Sequence, residues 1–157
     1  MPERSLTLSS PDATCRLARR FAPRLGPGDI VLLGGGVGAG KTHFARCLVQ
    51  ASLDVPEDVP SPTYTLVQTY PGRQGDIWHA DLYRLTDVGE LDELGLQEAF
   101  ASAICLIEWP DRLGEDVPET ALTLTLSASE DDERTRLVRI GWSDPRWDDI
   151  VAGVTDG

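Results

Sequence analysis

A glycine-rich segment at residues 35–42 constrains the fold of this chain more than any other part of its sequence. The segment reads GGVGAGKT and fits the pattern G-x-x-x-x-G-K-[ST] at every fixed position. An apolar run at residues 29–33 precedes it, and apolar residues recur at helical spacing over residues 42–53. This order predicts a buried strand, a wrapped loop and a helix, whose N–H groups and N-terminal dipole converge on one anion.

Lys41 is the one lysine among the chain's 14 lysines and arginines. A compact ammonium fits between a tightly wrapped loop and the β- and γ-phosphates of a nucleotide, whereas a planar guanidinium is too wide for that gap. The sequence therefore predicts that Lys41 marks the active site and that the loop binds a nucleotide. The predicted nucleotide contacts are Gly35, Gly36, Val37, Gly38, Ala39, Gly40, Lys41, Thr42 and His43.

The length and composition of the chain predict one α/β domain over residues 1–157. A chain of 157 residues with 41% hydrophobic content is long enough for one core and too short for two. We expect a P-loop NTPase-like, mostly parallel sheet flanked by helices. Alternating apolar and polar residues at 121–126 and 136–142 predict an antiparallel hairpin extension of that sheet.

Two features favour a soluble, cytoplasmic protein. The first residues form no apolar signal core, and no apolar run approaches the roughly 18 residues needed to cross a bilayer. The three cysteines, Cys15, Cys47 and Cys105, show neither C-x-x-C nor Cys/His metal spacing. We therefore expect three free, buried thiols and no membrane contact.

The charge of the chain argues against direct binding of nucleic acid. The net charge is −12, and the 14 basic residues form no continuous stripe. Without such a stripe the chain gains little of the counterion-release free energy that dominates nucleic-acid affinity. A role on RNA or DNA would therefore require a partner protein.

Two acidic residues follow predicted strands. The apolar run at residues 103–107 leads into Glu108. In nucleotide-binding sites of this kind, an acid at the end of such a strand lies beside a magnesium ion, and a hydroxyl of the loop, here that of Thr42, ligates the same ion. Asp81 ends the strand predicted at residues 76–80, where it is the candidate to orient or deprotonate an attacking water. The neighbouring His79 reads equally as a packed or ion-paired strand residue.

Two further segments leave alternatives open. Trp109 either packs beside the site, faces a partner or belongs to an ordinary core edge. The hydroxyl of Thr63, in a Ser-Pro-Thr turn, either senses a γ-phosphate or only starts the next strand. Residue types alone do not decide between these readings.

Together these motifs resemble the TsaE (YjeE) family, small bacterial ATPases needed to make threonylcarbamoyladenosine in tRNA. The resemblance covers residues 31–110 and rests on the segments G-x-x-G-A-G-K-T, S-P-T-Y-T-L-V, H-x-D-L-Y-R-L, E-L-G and I-C-L-I-E-W-P. It implies ATP and Mg²⁺ as ligands, and the TsaD and TsaB proteins as the partners through which tRNA is reached. The residues that it implies are Gly35 to Thr42 for nucleotide, Thr42 and Glu108 for magnesium, Lys41 and Asp81 for catalysis, Thr63 for switching and Arg134 for adenine or phosphate.

Departures and rival functions remain. Gly36 and His43 stand where the family usually has Asp and Thr. A GTPase reading is disfavoured because guanine recognition of the Asn-Lys-x-Asp type needs an asparagine, and the chain has none. A small-molecule kinase usually needs an arginine-bearing lid, for which Arg112 alone is thin support. A nucleotide-gated binding module is the alternative from a different class.

Overall fold

The computed structural model describes residues 2–36, 38–54, 59, 66–85, 87 and 89–155. Within these, the strands are β1 (Glu3–Leu8), β2 (Ile30–Gly34), β3 (Val67–Gly72), β4 (Gly75–Asp81), β5 (Ile104–Glu108), β6 (Leu122–Ala128) and β7 (Arg136–Gly141). The helices are α1 (Pro11–Phe21), α2 (Lys41–Ser52), α3 (Gly89–Leu94), α4 (Leu96–Ser102) and α5 (Trp147–Thr155). Short 3₁₀ turns lie at Ala22–Arg24 and Pro110–Asp116.

These strands form one sheet in the order β1-β7-β6-β2-β5-β4-β3. The central four, β6, β2, β5 and β4, are parallel to one another, and antiparallel strands extend both edges. The predicted parallel sheet with an antiparallel hairpin, β6–β7, is confirmed. Strand β1 was not predicted from the sequence, because this edge strand is mostly exposed and offers only Leu6 and Leu8 as apolar residues.

The central strands are buried on both faces, which is why their sequences read as continuous apolar runs. Alternate residues of β2 enter two different cores. Val31 and Leu33 pack in a core that includes residues of α1, α2 and α5. Ile30 and Leu32 pack in a second core that includes residues of α4 and Leu113. Helices therefore cover both faces of the central sheet, as predicted.

Helix α1 is capped at its N-terminus and packs on α2. Ser10 caps it, with its hydroxyl oxygen accepting from the Ala13 N–H at 3.1 Å, and Pro11 occupies the first turn. Phe21 of α1 meets Phe44 of α2 edge to face, at 6.1 Å between ring centroids. Among the described residues, the helices all lack the length and apolar character needed to cross a bilayer.

The cysteines correct one sequence prediction. Cys15 on α1 and Cys47 on α2 form a disulfide, so the expectation of three free thiols is wrong for this pair. Cys105 is free and buried, as expected. The sequence carries no signal for the pairing, because the two cysteines stand 32 residues apart and meet only once the helices pack.

This arrangement predicts a thiol count. Burial raises the pKa of the Cys105 thiol to about 12, so a thiol reagent meets neither an accessible sulfur nor a thiolate in the folded protein. Titration with Ellman's reagent should find no fast-reacting thiol in the native oxidised protein, one after unfolding and three after reduction and unfolding. Reduction should also lower the free energy of unfolding by about 3 kcal/mol. Three thiols in the unfolded, unreduced chain would contradict the disulfide.

Candidate functional site

The loop between β2 and α2 has a backbone that depends on glycine. Gly35, Gly38 and Gly40 have φ angles of 130°, 78° and 106°, which side-chain-bearing residues rarely adopt. A β-carbon on Gly35 would also overlap the carbonyl oxygen of Leu126 on β6. Gly36 has open space at the same position, so its departure from the family pattern is sterically neutral. Strand, loop and helix thus follow in the predicted order.

The ammonium of Lys41 is folded back onto this loop. Its Nζ donates to the carbonyls of Gly35 at 2.5 Å and Gly36 at 3.1 Å, and lies 3.5 Å from the centroid of the Trp109 ring. Burial is the largest influence on this group and lowers its pKa from the usual value, against the opposing effect of nearby carboxylates. Those carboxylates belong to Glu108, Asp81 and Asp111.

Glu108 joins three elements of the site. It ends β5 and is 1% exposed. One carboxylate oxygen, Oε1, accepts from the Thr42 hydroxyl of α2 at 2.6 Å. The other, Oε2, lies 2.6 Å from Nε2 of His79 on β4. The structure therefore brings together Thr42 and Glu108, the two predicted magnesium ligands.

His79 also belongs to this site, and its contact with Glu108 confirms the expectation of a packed or ion-paired strand residue. It is fully buried, and within the described part of the chain its second ring nitrogen, Nδ1, has no hydrogen-bond partner. Its position on β4 is set by the parallel pairing of His79 with Leu106, which places Asp81 opposite Glu108 two residues on. The contact between His79 and Glu108 depends on the register of β4 against β5, which the sequence alone does not predict.

Asp81 lies beside Glu108 at the end of β4. It is 7% exposed, and its Oδ1 accepts from the backbone N–H of Tyr83 at 3.0 Å. Its own N–H donates to the carbonyl of Leu66 at 2.8 Å. The carboxylate is thus held at the site by its own backbone turn.

Two aromatic rings, those of Trp109 and Tyr83, lie at the outer edge of the site. Trp109 has a left-handed backbone, with φ 59° and ψ 55°, a conformation uncommon for a residue with a bulky side chain. Its ring packs on that of Tyr83, with 4.9 Å between centroids. Tyr83 is 48% exposed. The structure thus places Trp109 at the edge of the site, one of the positions that the sequence left open.

These groups surround an open pocket of about 420 Å³. It lies where the carboxyl ends of β2, β4 and β5 meet, the usual position of ligand sites in open α/β sheets. Its lining residues are Gly38, Ala39, Gly40, Lys41, Thr42, His43, Asp81, Tyr83, Glu108 and Trp109.

The remaining predicted residues have different placements. Arg134 lies exposed in the β6–β7 turn, where its N–H donates to Asp132 Oδ1 at 2.9 Å, and it does not line the pocket. Arg136, which the sequence reading did not select, reaches the loop instead. Val37 and Thr63 lie outside the described residues.

The fold and the pocket define an α/β protein with a glycine-rich loop between a central strand and a helix. The family model that matches the chain, over residues 8–137, is that of the threonylcarbamoyl adenosine biosynthesis protein TsaE. A Rickettsia bellii protein called tRNA threonylcarbamoyladenosine biosynthesis protein TsaE is 39% identical over 127 residues, which cover 81% of this chain and 88% of the relative. A Bacillus subtilis protein of the same name is 35% identical over 126 residues, 80% of this chain and 78% of the relative.

The chain therefore belongs to the TsaE family. The crystal structure of Bacillus subtilis YdiB superimposes with a TM-score of 0.79, covering 99% of this chain and 95% of that one. At 23% identity, this likeness supports the fold alone.

The buried pair of His79 and Glu108 predicts an unequal effect of two histidine substitutions. His79→Leu leaves Glu108 Oε2 buried without a donor and should lower the free energy of unfolding by about 1–3 kcal/mol. His79→Gln should lose less, because its amide is able to donate to the carboxylate. The other histidine, His43, is the control: its ring nitrogen Nε2 has an exposed hydrogen bond to the Pro11 carbonyl, so His43→Leu should lower the free energy of unfolding by only about 0.5 kcal/mol. Urea denaturation curves that coincide for His79→Leu and His43→Leu would contradict the inferred contact.

Proposed function

We propose that this chain is a Mg²⁺-dependent ATPase that acts in the threonylcarbamoyladenosine modification of tRNA. The observation that carries the proposal is the convergence of Lys41, Thr42, Asp81 and Glu108 on one open pocket. The names of the relatives supply the pathway. The geometry of the glycine-rich loop and the ammonium of Lys41 support a nucleotide as the ligand.

The loop suits a polyphosphate because its backbone N–H groups and the N-terminus of α2 provide fixed positive dipoles. Lys41 is available to such a ligand, since within the described part of the chain its ammonium donates to backbone carbonyls and lies over an aromatic ring, without a direct salt bridge. A phosphate oxygen is a stronger acceptor than a neutral carbonyl because it carries charge. When a polyphosphate binds, Lys41 would therefore exchange its hydrogen bonds to two neutral carbonyls for hydrogen bonds to charged phosphate oxygens.

Thr42 and Glu108 are the residues that would hold Mg²⁺. Their hydroxyl and carboxylate oxygens are the hard ligands that this ion prefers. The described residues contain no cluster of three or more His, Cys, Asp or Glu side chains that would bind a metal alone. Magnesium usually keeps several waters and takes further ligands from phosphates, so a site with two protein oxygens fits it. When bound, the ion would neutralise charge on the phosphates.

Asp81 is the residue we assign to the attacking water. Its carboxylate lies at the pocket beside Glu108, and one oxygen is fixed by the Tyr83 N–H. The other has no hydrogen-bond partner among the described residues, so it could accept a hydrogen bond from water and orient it. We assign Glu108 to the metal instead, because its Oε1 pairs with the hydroxyl of Thr42, the other proposed metal ligand.

The partners we propose are the TsaD and TsaB proteins, with tRNA reached through them. The net charge of −12 opposes direct contact with a polyanion and is compatible with a basic docking partner. The function would place the protein in the cytoplasm. The rival functions are a nucleotide-gated binding module and a small-molecule kinase.

Phosphate release with and without the TsaD–TsaB complex tests this proposal. We expect slow Mg-ATP hydrolysis by the chain alone and stimulation by the complex, since supplying a missing cationic group in related sites raises the rate by about 10³–10⁵. Lys41→Ala should weaken ATP binding at least about tenfold and abolish turnover, with the fold intact by circular dichroism.

Three results would contradict the ATPase assignment. Wild-type affinity and turnover in Lys41→Ala would place the site elsewhere. An ATP-dependent complex that forms without any turnover would favour the binding module. Transfer of phosphate to an added small molecule would favour the kinase.

The two acids should give different phenotypes. Glu108→Gln should raise the Mg²⁺ concentration needed for nucleotide binding, because it weakens an ionic ligand. Asp81→Asn should bind Mg-ATP normally and turn over slowly. Calorimetric titrations across a range of Mg²⁺ concentrations, paired with turnover rates, separate the two effects. Equal magnesium dependence in both variants, or normal turnover in Asp81→Asn, would show that the roles are assigned wrongly.

A further inference from the structure

Arg136 links the β6–β7 hairpin to the glycine-rich loop between β2 and α2, which we call the phosphate loop. It is the first residue of β7, and its guanidinium contacts the loop between β2 and α2. Nε donates to the Ala39 carbonyl at 3.1 Å, and a terminal nitrogen donates to the Gly38 carbonyl at 3.3 Å. The other terminal nitrogen donates to the carbonyls of Glu133 at 2.5 Å and Thr135 at 3.1 Å. One side chain therefore fastens two adjacent loop carbonyls to the hairpin turn.

The loop needs such a contact because of its composition. Glycine loses more conformational freedom on ordering than any other residue, so a glycine-rich loop gains little rigidity from its own chain. Its N–H groups bind an anion well only if they are oriented before the anion arrives. Fixing the carbonyls of Gly38 and Ala39 restricts the peptide units around Gly40, immediately before α2.

Lys41 is unable to provide this restraint in both states of the site. Its ammonium donates to the carbonyls of Gly35 and Gly36 at the other end of the loop. On the proposed function it transfers to phosphate when the nucleotide binds, and those contacts are lost. Arg136 contacts different carbonyls, those of Gly38 and Ala39, so its hydrogen bonds need not break when Lys41 transfers.

We propose that Arg136 is the positioning residue of the phosphate loop, holding it in its anion-binding form before the nucleotide arrives. This inference rests on the proposed nucleotide site. The planar fork of arginine suits the task because Nε and a terminal nitrogen reach two carbonyls at once, whereas a lysine ammonium is a single point of contact on a flexible stem. Arg134, two residues earlier, makes no such contact with the described residues of the loop.

Arg139 provides a matched control on the same strand. Its side chain is 69% exposed, and its Nε lies 3.6 Å from a carboxylate oxygen of Glu3 on β1, away from the loop. Substituting Arg139 by Ala removes the same charge from β7 without touching Gly38 or Ala39. Differences between Arg136→Ala and Arg139→Ala therefore report the loop contact and not the net charge.

The test combines backbone dynamics of the nucleotide-free protein with ligand affinity. In Arg136→Ala we expect the ¹⁵N order parameters of Gly38, Ala39 and Gly40 to fall below about 0.6, and Mg-ADP and pyrophosphate to bind about tenfold more weakly. Arg136→Lys should fall between wild type and Arg136→Ala in both readouts. Arg139→Ala should match wild type. If Arg136→Ala does not fold, Arg136→Lys against Arg139→Ala gives the same comparison.

Two results would overturn the inference. A loop that stays rigid in nucleotide-free Arg136→Ala while affinity falls would make Arg136 a direct ligand of the nucleotide. A rigid loop with unchanged affinity would leave it no role at the site. Failure of the wild-type protein to bind Mg-ADP or pyrophosphate would instead reject the proposed function, and the loop dynamics would still show whether Arg136 orders the loop.

Discussion

The site is organised around a carboxylate that has been removed from water. Glu108 is 1% exposed, and burying an ionised carboxylate is costly unless its oxygens find partners. The Thr42 hydroxyl satisfies one oxygen and the His79 ring satisfies the other. Because these partners come from α2 and β4, the requirement to pair one acid fixes the start of the helix and two strand ends relative to one another. The relative positions of these elements determine the geometry of the pocket.

The same interior accounts for the state of Lys41. Lys41 is 5% exposed, and its ammonium contacts two carbonyls and the Trp109 ring, which offset part of the cost of burying the cation. A ligand shifts such an arrangement only by the difference in its affinity for the two states. An anion with several negative oxygens provides that difference, whereas a neutral ligand does not. This difference is the physical reason for which we propose a polyphosphate as the ligand of Lys41.

The sequence predicted the parts of the site that depend on local chemistry. The glycine spacing and Lys41 identified the loop, and the polar ends of two apolar runs identified Asp81 and Glu108. These two acids meet because the carboxyl ends of adjacent parallel strands share one edge of the sheet. The contact of His79 depends on strand register, and that of Arg136 depends on how the hairpin lies over the loop. Neither follows from residue spacing, and Arg136 was not predicted; Arg134, in the turn, was implied only by the family resemblance.

The most direct test of the account is a crystal structure of the protein with Mg²⁺ and a non-hydrolysable ATP analogue. The account predicts that the phosphates lie in the loop at residues 35–42, with the ammonium of Lys41 transferred from the carbonyls of Gly35 and Gly36 to phosphate oxygens. It also predicts the metal beside Thr42 and Glu108. An analogue bound elsewhere on the protein, or a loop that stays empty with Lys41 still on its carbonyls at saturating nucleotide, would contradict it.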